Sequence, residues 1–216
     1  LEAGASADLF AGHEVSSHSL SHPALTTVND AEVLRQVNQD RARLATLSGQ
    51  SVDSHAYPFG AHDDRVVSLL AGTDLTAARV VEGTGSFDLP DDPLRWAPTA
   101  HHLEAEAHIE RFLKESDGRP RLLLIYGHSW EFDIGKDGND WTLIERISAS
   151  LGSQEDLWSA GLGEVARYLE AIRSLEQADD EIWNHSGQPV WLRVHGKTLK
   201  LDPGESLSQS RISWSR

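Results

Sequence analysis

Residues 12–23 read GHEVSSHSLSHP, a short strand-like run followed by two histidines four positions apart. His18 and His22 can fall on one face of a helix or tight turn, so both imidazoles can reach one ion. A position directly after a strand lies at the carboxyl edge of a sheet, where α/β proteins keep their sites. The alternative is a pair of surface histidines before Pro23, because the bare HxxxH pattern occurs in many contexts.

Two further stretches place polar or aromatic groups directly after a strand-like run. Residues 52–57 lead into PFG at 58–60, which predicts either a plain turn with an unusual backbone angle at Gly60 or one wall of a pocket. The apolar run 121–126, predicted as a buried parallel strand, leads into GHSWEF at 127–132. There, His128 can act as a general acid or base at neutral pH, or it can be a core histidine at a capped strand end.

The rest of the chain alternates short apolar runs with amphipathic stretches, which predicts an α/β fold. Short strands near the end, separated by turn residues, predict a β-strand appendage. We therefore expect a main domain over residues 1–178 and an appendage over residues 179–216. The predicted helices are 31–47, 63–70, 102–114, 141–151 and 163–175, and the predicted strands are 14–17, 52–57, 77–81, 121–126, 157–159, 182–183, 190–194 and 198–201.

Composition excludes several classes of function. The chain has 216 residues, with 34 acidic against 19 basic side chains and a net charge of -15, so we expect no nucleic-acid partner. Cysteine is absent, which excludes disulfides and thiolate metal sites. We expect no membrane span, because no apolar run approaches the roughly 18 residues that one needs. The chain begins at Leu1 without a visible signal peptide, so we expect a processed or longer product, and compartment and oligomeric state stay open.

Together these stretches resemble the polysaccharide deacetylases, carbohydrate esterase family 4 with the NodB homology domain. Residues 12–23 look like the family's metal-binding H-[ST]-x-x-H motif with its lead-in, and YPFG at 57–60 is similar to its third motif. His128 sits where the last motif places its histidine. The sequences WAPTAHH at 96–102 and GHSWEFD at 127–133, with residues 189–204, resemble a subgroup that carries a GHS-aromatic-EF motif.

The resemblance implies a distorted (β/α) barrel of NodB type with a small C-terminal β-appendage. The family's T-F-D-D motif, which supplies a base and a metal-ligating aspartate, does not occur before His18, where Asp8 is the sole aspartate. We therefore expect this chain to lack the first barrel strand and to be a poor catalyst as it stands. The arginine that precedes the third motif in many members is replaced by Ala56, and Arg95 is the candidate substitute.

The activity implied by the resemblance is metal-dependent hydrolysis of the N-acetyl group of an acetylated amino sugar or polysaccharide, its glycan partner. A divalent metal, zinc by expectation, would bind His18 and His22, and His128 would protonate the leaving amine. The residues expected to contact substrate are Tyr57, Phe59 (through its backbone N–H as well), Arg95, Trp96, Tyr126 and Trp130. Two alternatives stay open: a carbohydrate-binding pseudoenzyme without the base, and a hydrolase of a small-molecule amide on the same fold.

Overall fold

The computed structural model describes residues 10–115, 118–135, 138–194 and 196–208. The chain divides into two compact units, Leu1–Gly161 and Leu162–Arg216. The second unit thus starts with a helix that the sequence analysis had assigned to the main domain, and the 1–178/179–216 division stays a prediction. Asp8 lies outside the described residues.

Unit 1 is built on short parallel strands. They are β1 (Ser54–Ala56), β2 (Ala77–Arg79), β3 (Ala100–His101) and β4 (Ile125–Tyr126). β1 pairs with β2, and β3 pairs with β4. Ser17 forms a parallel bridge to β1, and Trp96, just before β3, forms one to β2. Five neighbouring parallel segments therefore direct their carboxyl ends the same way, which confirms the α/β expectation.

The strands of the described residues do not close into a barrel, since they form two separate parallel pairs linked by single bridges. The predicted run 121–126 is paired only at 125–126 and is half-buried, so the prediction of a buried strand was wrong. Leu122 instead donates its N–H to the carbonyl of Phe87 in the preceding loop. Residues 157–159 form no strand, because Leu157 closes a turn onto Gln154.

Five helices belong to unit 1: α1 (Asp30–Ser48), α2 (Asp64–Ala71), α3 (Ala105–Lys114), α4 (Ser129–Ile134) and α5 (Trp141–Gly152). α1 is capped by Asn29, whose side chain accepts the Glu32 N–H, and ends at Gly49 in the left-handed region. Asp63 caps α2 in the same way. Single 3-10 turns lie at Leu25–Thr27, Pro58–Gly60, Pro93–Arg95 and His102–Glu104.

Two apolar clusters among the described residues form much of the core of unit 1. α1 and α2 pack in the first cluster with Ala78 of β2, and Tyr57, directly after β1, lies in this cluster with no exposed surface. α3 and α5 pack on each other through Ala105, Ile109, Leu143 and Ile147. Because both clusters cover the sides of the strands, the carboxyl ends of the strands are left to carry polar side chains.

Unit 2 is an antiparallel β structure that follows one helix. It contains α6 (Leu162–Arg173), β5 (Glu176–Ala178), β6 (Glu181–Trp183), β7 (Val190–Val194), β8 (Lys197–Leu201) and β9 (Ser206–Ser208). The strands form a β5-β6-β9 sheet and a β7-β8 hairpin. Ala171, Val190 and Leu201 form its core. Of the helices in the described ranges, none has the length and apolarity to cross a bilayer.

Candidate functional site

His18 and His22, the histidine pair, follow the first parallel segment of unit 1. The His18 backbone N–H donates to Asp40 Oδ2 at 2.8 Å, and its Nδ1 lies 2.6 Å from the Ala56 carbonyl oxygen. Since a carbonyl only accepts, Nδ1 carries the proton and Nε2 keeps the lone pair that can bind a metal. The two rings meet edge-on with centroids 4.6 Å apart.

The turn that joins these histidines is not a helix. Ser19 and His22 both adopt the left-handed region, with φ of 64° and 56°, and this sharp path brings the two rings together. Phe59 is also left-handed, at φ 59°, and its exposed ring lies 4.5 Å from that of His22. Such angles are costly for residues with a Cβ and concentrate at functional sites. Gly60 is required beside them, because a Cβ there would lie 2.4 Å from Val81.

The surroundings of His18 favour its neutral form. Burial lowers the pKa of His18, and nearby His22 and Arg79 lower it too, against the raising effect of the Ala56 carbonyl. Neutral imidazole is the form that ligates metals. The sequence analysis overlooked Arg79, whose guanidinium also lies 4.8 Å above the ring of Tyr126. The position of Arg79 at the carboxyl end of β2 is the feature that could have identified it as a site residue.

The second group of ionisable residues lies at the ends of β3 and β4 and surrounds one carboxylate oxygen. Glu131 Oε2 lies 3.1 Å from His128 Nδ1, 3.2 Å from His101 Nε2 and 3.7 Å from His102 Nδ1. We call His101, His102, His128 and Glu131 the Glu131 cluster. Of the described residues, only His101, His128 and Glu131 form a group of three or more potential metal ligands.

The start of α4 fixes the geometry of the Glu131 cluster. His128 caps the helix, and the Glu131 carboxylate accepts the His128 backbone N–H at 3.2 Å. Burial raises the pKa of Glu131, but the hydrogen bond from His128 and the charges of His101 and His102 outweigh it, so this pKa lies below its ordinary value. The carboxylate is therefore ionised at neutral pH.

His102 is the buried member of the Glu131 cluster. Its Nε2 lies 2.8 Å from Asn139 Oδ1. Its ring packs directly on the backbone of Gly127, where a Cβ would lie 1.9 Å from His102 Nδ1. The sequence analysis placed His101 and His102 in the WAPTAHH stretch at 96–102 and assigned them no role.

The remaining residues expected at the site divide into two that are buried, Tyr57 and Trp96, and three that keep exposed surface, Arg95, Trp130 and Tyr126. Tyr57 and Trp96 are 0% and 2% exposed, and the Tyr57 hydroxyl donates to the Leu94 carbonyl, so their predicted stacking on a sugar was wrong. Arg95 forms ion pairs with Asp64 and Asp92. Trp130 is 58% exposed, with its ring 5.6 Å from that of His128. Half-buried Tyr126 lies edge-on to His101.

Comparison with known proteins identifies the family that the first part of the chain resembles. Residues 8–78 match the polysaccharide deacetylase family. Chitin deacetylase 1 of Cryptococcus neoformans is 32% identical over 69 residues, which are 32% of this chain and 15% of that protein. The matched residues 8–78 include the histidine pair and the turn at Phe59, so the resemblance inferred from these motifs is confirmed.

One solved structure supports the fold. A Mycobacterium smegmatis protein assigned to the polysaccharide deacetylases superposes with a TM-score of 0.51 at 14% identity, over 78% of this chain and 68% of that one. This likeness shows a shared fold. A family 4 carbohydrate esterase from Streptomyces lividans has a TM-score of 0.42 at 17% identity, over 68% and 64% of the two chains. The chain spans only 15% of the length of the curated relative it matches.

Proposed function

Because residues 8–78 match the polysaccharide deacetylases, we propose that this protein hydrolyses the N-acetyl group of an acetylated amino sugar or polysaccharide with a bound divalent metal. The observation that carries the proposal is the histidine pair: its rings adjoin, and His18 is oriented through Nδ1 by the Ala56 carbonyl. A histidine ligand held in this way is the usual arrangement in metallohydrolases.

The residues of the histidine pair fit zinc, which accepts imidazole nitrogen readily. They account for two ligands, and the described residues add no third to form a compact group with them. A bound divalent ion supplies Lewis-acid polarisation of the acetyl carbonyl. The backbone N–H of Phe59, next to His22, would donate to the oxygen on which negative charge develops.

His128 is the proposed general acid. Its Nδ1 lies 3.1 Å from the Glu131 carboxylate, which orients the ring and leaves Nε2 to donate a proton to the departing amine. The side chain is about half exposed, so substrate can reach it. The exposed rings of Trp130 and Phe59, and the half-buried ring of Tyr126 at the end of β4, offer flat apolar surfaces for a sugar ring.

The test is amine release from an acetylated chito-oligosaccharide by the native gene product with added zinc or cobalt. The His18→Ala, His22→Ala double variant should lose the metal bound at this pair, and its turnover should fall by at least about 100-fold. A His13→Ala, His185→Ala double variant is the matched control and should keep both. Equal metal content and turnover in the first variant and the parent would contradict the proposal. Turnover of a non-sugar amide but not of the oligosaccharide would favour the small-molecule hydrolase.

A further inference from the structure

We propose that the Glu131 cluster is a second divalent-metal site, formed by His101, His102, His128 and Glu131 and separate from the histidine pair. Nδ1 of His128 and Nε2 of His101 lie 3.1 and 3.2 Å from Glu131 Oε2. One ligand atom from each of His101, His128 and Glu131 lies within 4.8 Å of the other two, so these three side chains could hold one ion. His102 Nδ1 lies 3.7 Å from the same oxygen and would be the fourth donor.

His102 provides an independent reason for a cation at this place. Its Nε2 donates to Asn139 Oδ1, so in the neutral ring the lone pair is on Nδ1. That Nδ1 atom is buried, has no hydrogen-bond partner among the described residues, and lies 3.7 Å from Glu131 Oε2. A buried lone pair without a donor therefore faces a half-buried carboxylate oxygen, an arrangement that is costly unless a cation lies between them.

The cluster is held by regular structure rather than by a free loop. His101 ends β3, His128 and Glu131 begin α4, and His102 starts the turn that leads into α3. Gly127 lets the ring of His102 lie against the backbone at the end of β4, since any Cβ there would overlap it. A preorganised set of side chains binds an ion without first being ordered.

The donor set selects among metals. Three imidazoles and one carboxylate suit zinc, cobalt and nickel, whereas calcium and magnesium prefer oxygen ligands. Occupancy would bind Nδ1 of His128 to a cation and so disturb its contact with the Glu131 carboxylate. If the proposed function holds, a cation on the general acid would interfere with its role, and this one consequence rests on that function.

Metal binding is tested without any activity measurement. The His18→Ala, His22→Ala chain removes the first candidate site, and after treatment with a chelator it is titrated with Co²⁺. We expect one equivalent to bind, with the intense visible absorption of a tetrahedral Co²⁺ centre. Glu131→Gln and His101→Gln, each added to this chain, should weaken binding by at least about 10-fold. His185→Gln, a histidine of unit 2 paired with Glu176, should leave the affinity unchanged.

The outcomes separate the two proposals. Absence of the tetrahedral spectrum, or equal Co²⁺ affinity with and without Glu131→Gln, would overturn the second site and leave an imidazolium–carboxylate pair instead. Circular dichroism of each variant shows whether lost binding results from unfolding. If one of the two substitutions, Glu131→Gln or His101→Gln, unfolds the chain, the other still tests the site. Failure of the native gene product, with its histidine pair intact and loaded with metal, to release amine from acetylated glycan would overturn only the proposed function.

Discussion

His55 illustrates, for a single residue, how burial sets the charge of a side chain in this molecule. It lies inside β1 with no exposed surface, and its Nδ1 pairs with the Ser17 hydroxyl at 3.0 Å. Its Nε2 has no hydrogen-bond partner among the described residues. Burial first, and then nearby His18, Arg79 and Arg41, lower the pKa of His55 to about 3. The folded protein therefore holds this ring neutral directly behind the histidine pair.

A loss of stability in mild acid follows from that shift. The unfolded chain takes up the proton near pH 6.5 and the folded chain does not, so the stabilisation is complete above pH 6.5 and is lost as pH falls toward 3. Between pH 7 and pH 5 we expect the free energy of unfolding to fall by about 1–2 kcal/mol from His55. Urea unfolding at both pH values measures it.

The matched variant is His55→Gln, which keeps a polar side chain that does not titrate. It should reduce the pH dependence, although not to zero, since the pKa values of His18 and His101 are also lowered by burial. The comparison uses the change between the two pH values, so a general loss of stability in the variant does not affect it. The same pH dependence in both proteins would show that His55 is not the titrating group.

Among the elements, the long helices and the strands β7 and β8 follow closely from the sequence, whereas β3 and α4 were not predicted. α1 and α2 are predictable because an apolar period of 3.6 residues and a capping Asn29 or Asp63 are local features. β3 has two residues, and its pairing with β4 depends on a segment 25 positions away. The histidine pair is recognisable because both ligands lie in one motif. The Glu131 cluster was missed because three elements must meet before its residues adjoin.

Asn184 is the residue on which the β structure of unit 2 most depends. It is fully buried, and its Nδ2 donates to the carbonyls of Gln188 and Leu201, each at 2.9 Å. Its Oδ1 accepts from both the N–H and the hydroxyl of Ser186. This one side chain therefore links β6, the turn after it and the end of β8, and no pattern in the sequence marks it.

Removal of the Asn184 amide should loosen these strands. Asn184→Ala leaves two carbonyls without their donor, and we expect a loss of about 2–3 kcal/mol, because each unsatisfied buried acceptor costs about 1–3 kcal/mol. Asn184→Asp keeps the shape but removes the donor and should also destabilise. Amide hydrogen exchange across residues 190–201 measures the effect, with exposed Gln177→Ala on β5 as the control. Unchanged protection in Asn184→Ala would mean that water replaces the amide without cost.

At the scale of the whole molecule, charge is the dominant long-range property. The net charge is -15, and at this excess carboxylates repel one another in the folded chain more than in the expanded one. Exposed ion pairs such as Arg65–Asp30 stabilise the folded chain and so oppose this repulsion. Such pairs contribute only about 0–1 kcal/mol each. We therefore expect repulsion to determine how the stability of the chain responds to salt.

The thermal midpoint should accordingly rise with salt. The Debye length falls from about 30 Å at 0.01 M to about 8 Å at 0.15 M, which screens repulsion across the molecule. We expect the midpoint to rise by about 2–4 °C, which is about 1 kcal/mol for a chain of this size. Calorimetry at the two salt concentrations measures it. The variant Asp74→Asn, Asp91→Asn, Glu155→Gln, Asp156→Asn removes four exposed charges and should reduce the rise. The control variant, Asp74→Glu with Glu155→Asp, keeps the charge and should not reduce the rise. A midpoint of the parent that falls with salt would mean that ion pairs outweigh the repulsion.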